Sequence, residues 1–201
     1  MSHKAAVQNR TERAAAELSR TRRTHEGTMI WVITGAVLIA VVAAMLLTSR
    51  PQSSDATKAA PDFSLVDTAG ETHNLSDHRG ENVVLYFSEG AGCQSCIVQM
   101  GEIEKHAAAF AEENVTVLPI VMNTKEQITA DMAANGVKTP FLLDDGTVSD
   151  AYGTIGNGMH AGLPGHSFVL IDTEGKQRWY GEYPSMWLAP QELLAEVTKR
   201  L

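Results

Sequence analysis

Both cysteines of the chain sit in one motif, Cys93-Gln94-Ser95-Cys96. The thiolate is the reactive form of cysteine, and a free thiol with a pKa near 8.5 is mostly protonated at neutral pH. At a helix N-terminus, unpaired backbone N–H groups and the dipole stabilise that anion. Cys93 falls where a helix is expected to begin, after the loop Gly90-Ala91-Gly92. Cys96 lies three residues on, one helical turn away and on the same side. The pair can therefore close an intramolecular disulfide. Cys93 is expected to attack a substrate disulfide and Cys96 to resolve the mixed disulfide.

Other chemistries need residues this chain does not place there. A zinc site needs about four ligands, and no second C-x-x-C exists. A c-type haem site needs His directly after the second Cys, and residue 97 is Ile. A purely structural disulfide across so short a loop stabilises little, because loop-closure entropy grows with loop size. Among the other polar candidates, His166 precedes a late strand and is a candidate acid–base group, metal ligand or polar loop residue. His160, in a Gly-rich loop, reads as surface, and His106 as a solvated residue on the polar face of a helix. Glu89, just before the active loop, is a candidate proton acceptor or an exposed loop carboxylate. Trp179 and Tyr180 are expected to pack at the sheet edge.

The elements that must hold the motif are legible in the apolar pattern. NVVLYFS at 82–88 is a β-branched and aromatic run, hence a strand. Cys96, Ile97, Met100, Ile103, Ala107 and Phe110 recur at helical spacing, which predicts one long helix. VTVLPIVM at 115–122 predicts a buried strand, 125–136 a helix ended by Asn135-Gly136, and 140–145 a short strand. SFVLID at 167–172 and KQRWYGEY at 176–183 flank a tight turn and predict an antiparallel edge. Pro190 opens a last helix with Leu193, Leu194, Val197 and Leu201 on one side. Strands alternating with helices predict a three-layer α/β domain.

Ahead of this domain, Met29 to Leu47 is a run of 19 residues without charge. At about 1.5 Å per residue it is roughly 28 Å long, enough to cross a hydrocarbon core of about 30 Å. It is longer than the apolar region of a cleaved signal peptide, which has about 7–15 residues. Arg10, Arg13, Arg20, Arg22 and Arg23 precede it, and only Arg50 and Lys58 follow closely. The positive-inside bias then puts residues from about 50 onward outside the cytoplasm. The expected organisation is a cytoplasmic tail at 1–27, a single transmembrane signal anchor at 28–49, a flexible tether at 50–60 and the outer domain at 61–201.

The formal net charge is -8. Residues 1–27 carry +3, which leaves -11 for the rest. An acidic body of this kind excludes general nucleic-acid binding, whose usual footprint is a basic face. Two cysteines exclude a disulfide-scaffold fold.

APDFSLVDTAGETHNLSDHRGENVVLYFSEGAGCQSC resembles the redoxin branch of the thioredoxin superfamily, the AhpC/TSA type and its membrane-anchored thiol–disulfide relatives. PFLLDDGTVSDAYGT and FVLIDTEGKQRWYGEY are similar to later segments of that family, so the resemblance covers residues 60–201. It implies a thioredoxin-like α/β/α fold and a thiol–disulfide oxidoreductase with Cys93 and Cys96 as catalytic pair. It implies no organic cofactor and no metal, and protein thiols, disulfides and a redox partner protein as partners. Two departures bear on the activity. Peroxidatic members carry Thr or Ser three residues before the reactive Cys, where this chain has Gly90. They also carry an Arg before the late strand, where this chain has His166. Thiol–disulfide relatives place a cis-Pro facing the disulfide, for which Pro164 is the nearest candidate. Pro164 and His166 are thus the expected substrate-binding residues. The rivals are a peroxiredoxin-like peroxidase and a copper chaperone resembling the Sco family. The latter has three residues between its cysteines rather than two.

Overall fold

The computed structural model describes residues 29, 31–47, 50–156 and 161–201. The chain divides into two compact units, residues 1–48 and 49–201. In the first, residues 31–47 form a helix, α1, whose apolar side chains are largely exposed, as at Trp31, Leu38 and Ile39. Among the described residues, no helix is long and apolar enough to cross a membrane. The expected tail, and the positions 28, 30, 48 and 49 of the expected span, lie outside the described residues.

The second unit is built around β4 (Asn82–Phe87), buried at all six positions. Its aliphatic and aromatic run has no polar face because both sides are covered. Val84 and Tyr86 point into one apolar cluster, and Val83, Leu85 and Phe87 into another. β5 (Val115–Val121) runs parallel to it, and β6 (Leu142–Leu143) parallel to β5. On the other side β7 (Ser167–Ile171) is antiparallel, pairing Val84 with Leu170 and Tyr86 with Phe168. β8 (Lys176–Glu182) follows β7 around the turn at Gly175. With β1 (Gln52–Ala59), β2 (Ser64–Asp67) and β3 (Thr72–Asn74), the strands among the described residues are ordered β1-β8-β7-β4-β5-β6-β2-β3.

Helices close the two faces unequally. α2 (Gln94–Lys105), α3 (Ala107–Glu112), α4 (Lys125–Asn135) and α6 (Pro190–Thr198) send Ile97, Met100, Ile103, Phe110, Ile128, Met132, Leu193 and Val197 into the first cluster. The second cluster is covered by the five-residue α5 (Thr147–Ala151), the 3-10 turn Leu75–His78 and Phe63. The expected α/β/α layering is thus present, with one thick and one thin helical layer. α4 begins with a reciprocal cap: the Gln127 N–H donates to Thr124 Oγ1, and the Thr124 N–H donates to the Gln127 side chain.

Three expectations are corrected, and one hairpin is found where no element was expected. The flexible tether expected at 50–60 contains β1 (Gln52–Ala59), which pairs antiparallel with β8. Its ordering comes from the ladder, not from apolar burial. β8 is consequently not an edge strand. Trp179 is fully buried, and its indole N–H donates to Ser53 Oγ at 2.8 Å. Gly181 leaves room for that indole, since a Cβ there would stand 2.3 Å from the ring. The single helix expected after the motif breaks at His106. Its Nδ1 bonds the Glu102 carbonyl at 2.8 Å, and its own N–H turns back to Ile103. Finally, β2 (Ser64–Asp67) and β3 (Thr72–Asn74) form an antiparallel hairpin outside β6.

Candidate active site

Strand β4 ends at Phe87, and the chain then turns through Gly90 and Gly92, at φ 71° and 91°. Gly90 has no space for a side chain. A Cβ there would stand 2.0 Å from Asn123 Oδ1 and 2.7 Å from Val121 Cγ1. Two side chains from the β5–α4 region hold the turn by its backbone. The Ala91 N–H donates to Asn123 Oδ1 and the Gly92 N–H to Asp131 Oδ2, each at 2.8 Å. The Cys93 N–H closes the turn onto the Gly90 carbonyl at 3.0 Å.

Cys93 is the N-cap residue of α2, and its carbonyl accepts from the N–H groups of Cys96 and Ile97. Cys93 and Cys96 are joined in a disulfide, with their Cα atoms 5.3 Å apart. The two sulfurs have different surroundings. Cys93 is half-buried at the mouth of the loop, with Sγ 3.5 Å from Ser95 Oγ. Cys96 is fully buried. Its Sγ lies 4.0 Å from His166 Nδ1, and its carbonyl accepts from the Tyr86 hydroxyl at 3.1 Å.

His166 enters just ahead of β7 and is 1% exposed. Its Nδ1 lies 3.2 Å from Tyr86 Oη, and its ring meets Tyr86 and Phe168 edge-on. Burial pushes its pKa down to about 4, so the ring is neutral at physiological pH. Burial likewise pushes the Tyr86 hydroxyl far above the ordinary phenol range, so it too stays neutral.

The structure thus brings together Cys93, Cys96 and His166. Pro164 is buried two residues before His166, in a bridge with Ile155. Among the described residues no peptide bond is cis, so the cis-proline geometry implied at this place is not found. Glu89 is half-buried. His106 is half-buried rather than solvated, and its Nε2 meets the Gln191 side chain at 2.7 Å. His160 lies outside the described residues.

Sequence reasoning missed Tyr86, Asn123 and Asp131. Tyr86 was visible as a hydroxyl within the apolar run 83–87. Asn123 directly follows the β5 pattern, where strand-end loops carry function. Asp131 sits inside a helical pattern and carries no such signal.

A mixed sheet flanked by helices, with a disulfide-bonded Cys-x-x-Cys opening the helix that follows a central strand, defines a thioredoxin-fold redoxin. The AhpC/TSA family profile matches residues 56–180, and the chain belongs to that family. A putative peroxiredoxin of Mycobacterium tuberculosis is 28% identical over 122 residues, 58% of this chain and 78% of the relative. Peroxiredoxin Bcp of Escherichia coli is 31% identical over 123 residues, with the same two coverages. The thiol-disulfide oxidoreductase ResA of Geobacillus kaustophilus is 31% identical over 107 residues, 42% of this chain and 61% of ResA. Among solved structures, peroxidoxin BcpB of M. tuberculosis superposes with a TM-score of 0.60 at 20% identity, covering 73% of this chain and 95% of BcpB. The thioredoxin domain of a Bacteroides vulgatus thiol-disulfide oxidoreductase gives 0.56 at 23% identity, covering 73% and 98%. These structural likenesses speak for the fold.

Proposed function

We propose that the protein is a thiol–disulfide oxidoreductase that works through the Cys93–Cys96 couple on protein thiols and disulfides. The observation that carries this reading is the asymmetry of the pair. Cys93 is accessible and caps α2, while Cys96 is sealed beneath it. The helix N-terminus stabilises a thiolate at Cys93. That thiolate attacks a client disulfide, a Cys93–client bond forms, and one client sulfur leaves as thiolate. Cys96 then attacks Cys93 Sγ, the internal disulfide closes, and the second client sulfur leaves. Reduction by a partner protein dithiol runs the same steps in reverse.

Peroxidase activity is the second reading, favoured by the peroxiredoxins among the relatives. The loop speaks against it. Position 90 supplies no hydroxyl and cannot take one. Insulin reduction by the purified full chain in detergent separates the two. The expected result is turnover with dithiothreitol that Cys93→Ser abolishes, with hydroperoxide consumed only at background. Hydroperoxide consumption that depends on Cys93, with no insulin turnover, would overturn the reading.

The membrane placement is part of the same proposal. It rests on the uncharged run from Met29 to Leu47 and on the arginines that precede it. The redox domain then stands on the outer face of the cytoplasmic membrane, where disulfide exchange is chemically useful.

A further inference from the structure

We propose that His166 is a catalytic residue of this exchange: its Nδ1–H bonds the Cys96 sulfur as that sulfur leaves as thiolate, and its Nε2 takes up the accompanying proton. The inference rests on the dithiol reading above and assigns the second proton of the reaction.

Counting protons fixes the resting state of the ring. Tyr86 has one hydroxyl proton, and it goes to the Cys96 carbonyl, which can only accept. Tyr86 Oη is also 3.2 Å from His166 Nδ1, and with the hydroxyl proton on the Cys96 carbonyl that contact is filled by Nδ1–H donating to the oxygen. In the neutral ring the lone pair is then on Nε2. That atom is buried with no hydrogen-bond partner. It is an orphaned proton acceptor two bonds from Nδ1, whose hydrogen rests on the Tyr86 oxygen in the disulfide and which lies 4.0 Å from the Cys96 sulfur.

The Cys96 sulfur needs such a group. In the disulfide it is neutral and fully buried. When a reductant thiolate attacks Cys93 Sγ, the S–S bond breaks and its electron pair stays on Cys96. A lone thiolate at a dry site is costly unless a partner offsets its charge. Among the described residues, the hydrogen-bonding group recorded at that sulfur is His166 Nδ1, at 4.0 Å. The titratable groups set against the imidazole are Tyr86 from β4, Cys96 from α2 and Tyr183 beyond β8, whose backbone N–H donates to the His166 carbonyl. Among the described residues, burial is the recorded cause that keeps it neutral while Cys96 is in the disulfide. A new anion beside it reverses that balance, because an opposite charge favours the charged form.

The reaction closes on atoms and electrons. The disulfide, two electrons and two protons become a Cys93 thiol and a Cys96 thiolate–His166 imidazolium pair. The electrons come from the partner dithiol. In the client half-reaction Cys93 gives its proton to solvent and attacks as thiolate, and the first client sulfur leaves and takes up a proton; the Cys96 thiolate then attacks Cys93 Sγ, the Cys93–client bond breaks, and the proton on Nε2 passes to the second client thiolate through solvent.

The wild-type full chain in detergent, labelled with 15N-histidine, tests this in both redox states. Long-range proton–nitrogen correlations at pH 7 should show His166 as the neutral Nδ1–H tautomer in the disulfide. After dithiothreitol they should show both nitrogens protonated. An Nε2–H tautomer in the disulfide, or a ring that stays neutral on reduction, would overturn the proposal. A His166→Phe variant should have its equilibrium constant for reduction by glutathione lowered at least tenfold, about 30 mV. An unchanged constant in a folded variant would count against it, and if that variant does not fold the wild-type spectra decide alone. The two readings fail separately: inert toward insulin with the signature kept, or active without it.

Discussion

At position 90 the backbone and its neighbours leave no alternative to glycine. The residue has φ 71°, where an L side chain costs about 1–3 kcal/mol, and a Cβ would collide with Asn123 Oδ1. Gly90→Ala should therefore lower the melting temperature by roughly 4–8 °C for about 2 kcal/mol lost in a domain of this size. It should also break the Ala91–Asn123 bond and slow insulin reduction; calorimetry and a turnover assay read the two effects. An unshifted melting temperature would mean that the loop relaxes around the methyl group. The sequence showed that the motif needed a glycine-containing turn before it. It did not show which side chains grip that turn, because Asn123 and Asp131 come from elements some 30–40 positions downstream. The cysteine pair was legible from spacing alone. The burial of His166 was not, since nothing in Gly165-His166-Ser167 distinguishes a loop histidine from one folded beneath a helix.

On the scale of elements, α2 has to stay fixed while its N-terminus exchanges partners, and Glu104 is one of its moorings. Burial pushes the Glu104 carboxyl up, but the backbone N–H groups of Thr139 and Lys138 and the Thr139 hydroxyl outweigh it and hold the pKa below the usual value. A depressed folded pKa contributes stability above the unfolded value of about 4.3, lost as pH falls through the still lower folded value. Glu104→Gln should destabilise the chain by about 1–2 kcal/mol at pH 7. The gap to wild type should shrink below about pH 4 in urea titrations; a gap independent of pH would refute the carboxylate's role. β1 makes a second element-scale case. Deleting residues 1–59 exposes the β8 ladder, removes Ser53 from the Trp179 indole and separates Arg200 from Asp55. The truncated chain should lose about 2–4 kcal/mol in urea denaturation and associate through its new edge. The elements read correctly, β4, β5, α4, β7, β8 and α6, carry their own signal, an apolar run or spacing or a helix stop such as Asn135-Gly136. Gln52–Ala59 is polar and small-residue throughout, and its order is a property of β8's unpaired backbone. The break at His106 depends on a side chain reaching back to Glu102, which periodicity does not register.

For the whole molecule, the acidic redox domain is joined in the proposal by an apolar segment, Met29 to Leu47, as its membrane anchor. A reporter fused after Leu201 should be active only outside the cytoplasm, and mass spectrometry of the membrane-extracted protein should find residues before 29 still attached. A mature N-terminus beyond residue 47 would contradict the anchor. The central claim, however, is the division of labour between the two sulfurs. Its most direct test is trapping by single variants of the full chain expressed in cells, resolved on non-reducing gels. Cys96→Ser should accumulate mixed disulfides with client proteins through Cys93, because no thiol remains to resolve them, and Cys93→Ser should accumulate none. If Cys93→Ser traps clients as well as Cys96→Ser does, the accessible and buried sulfurs do not hold the roles assigned to them.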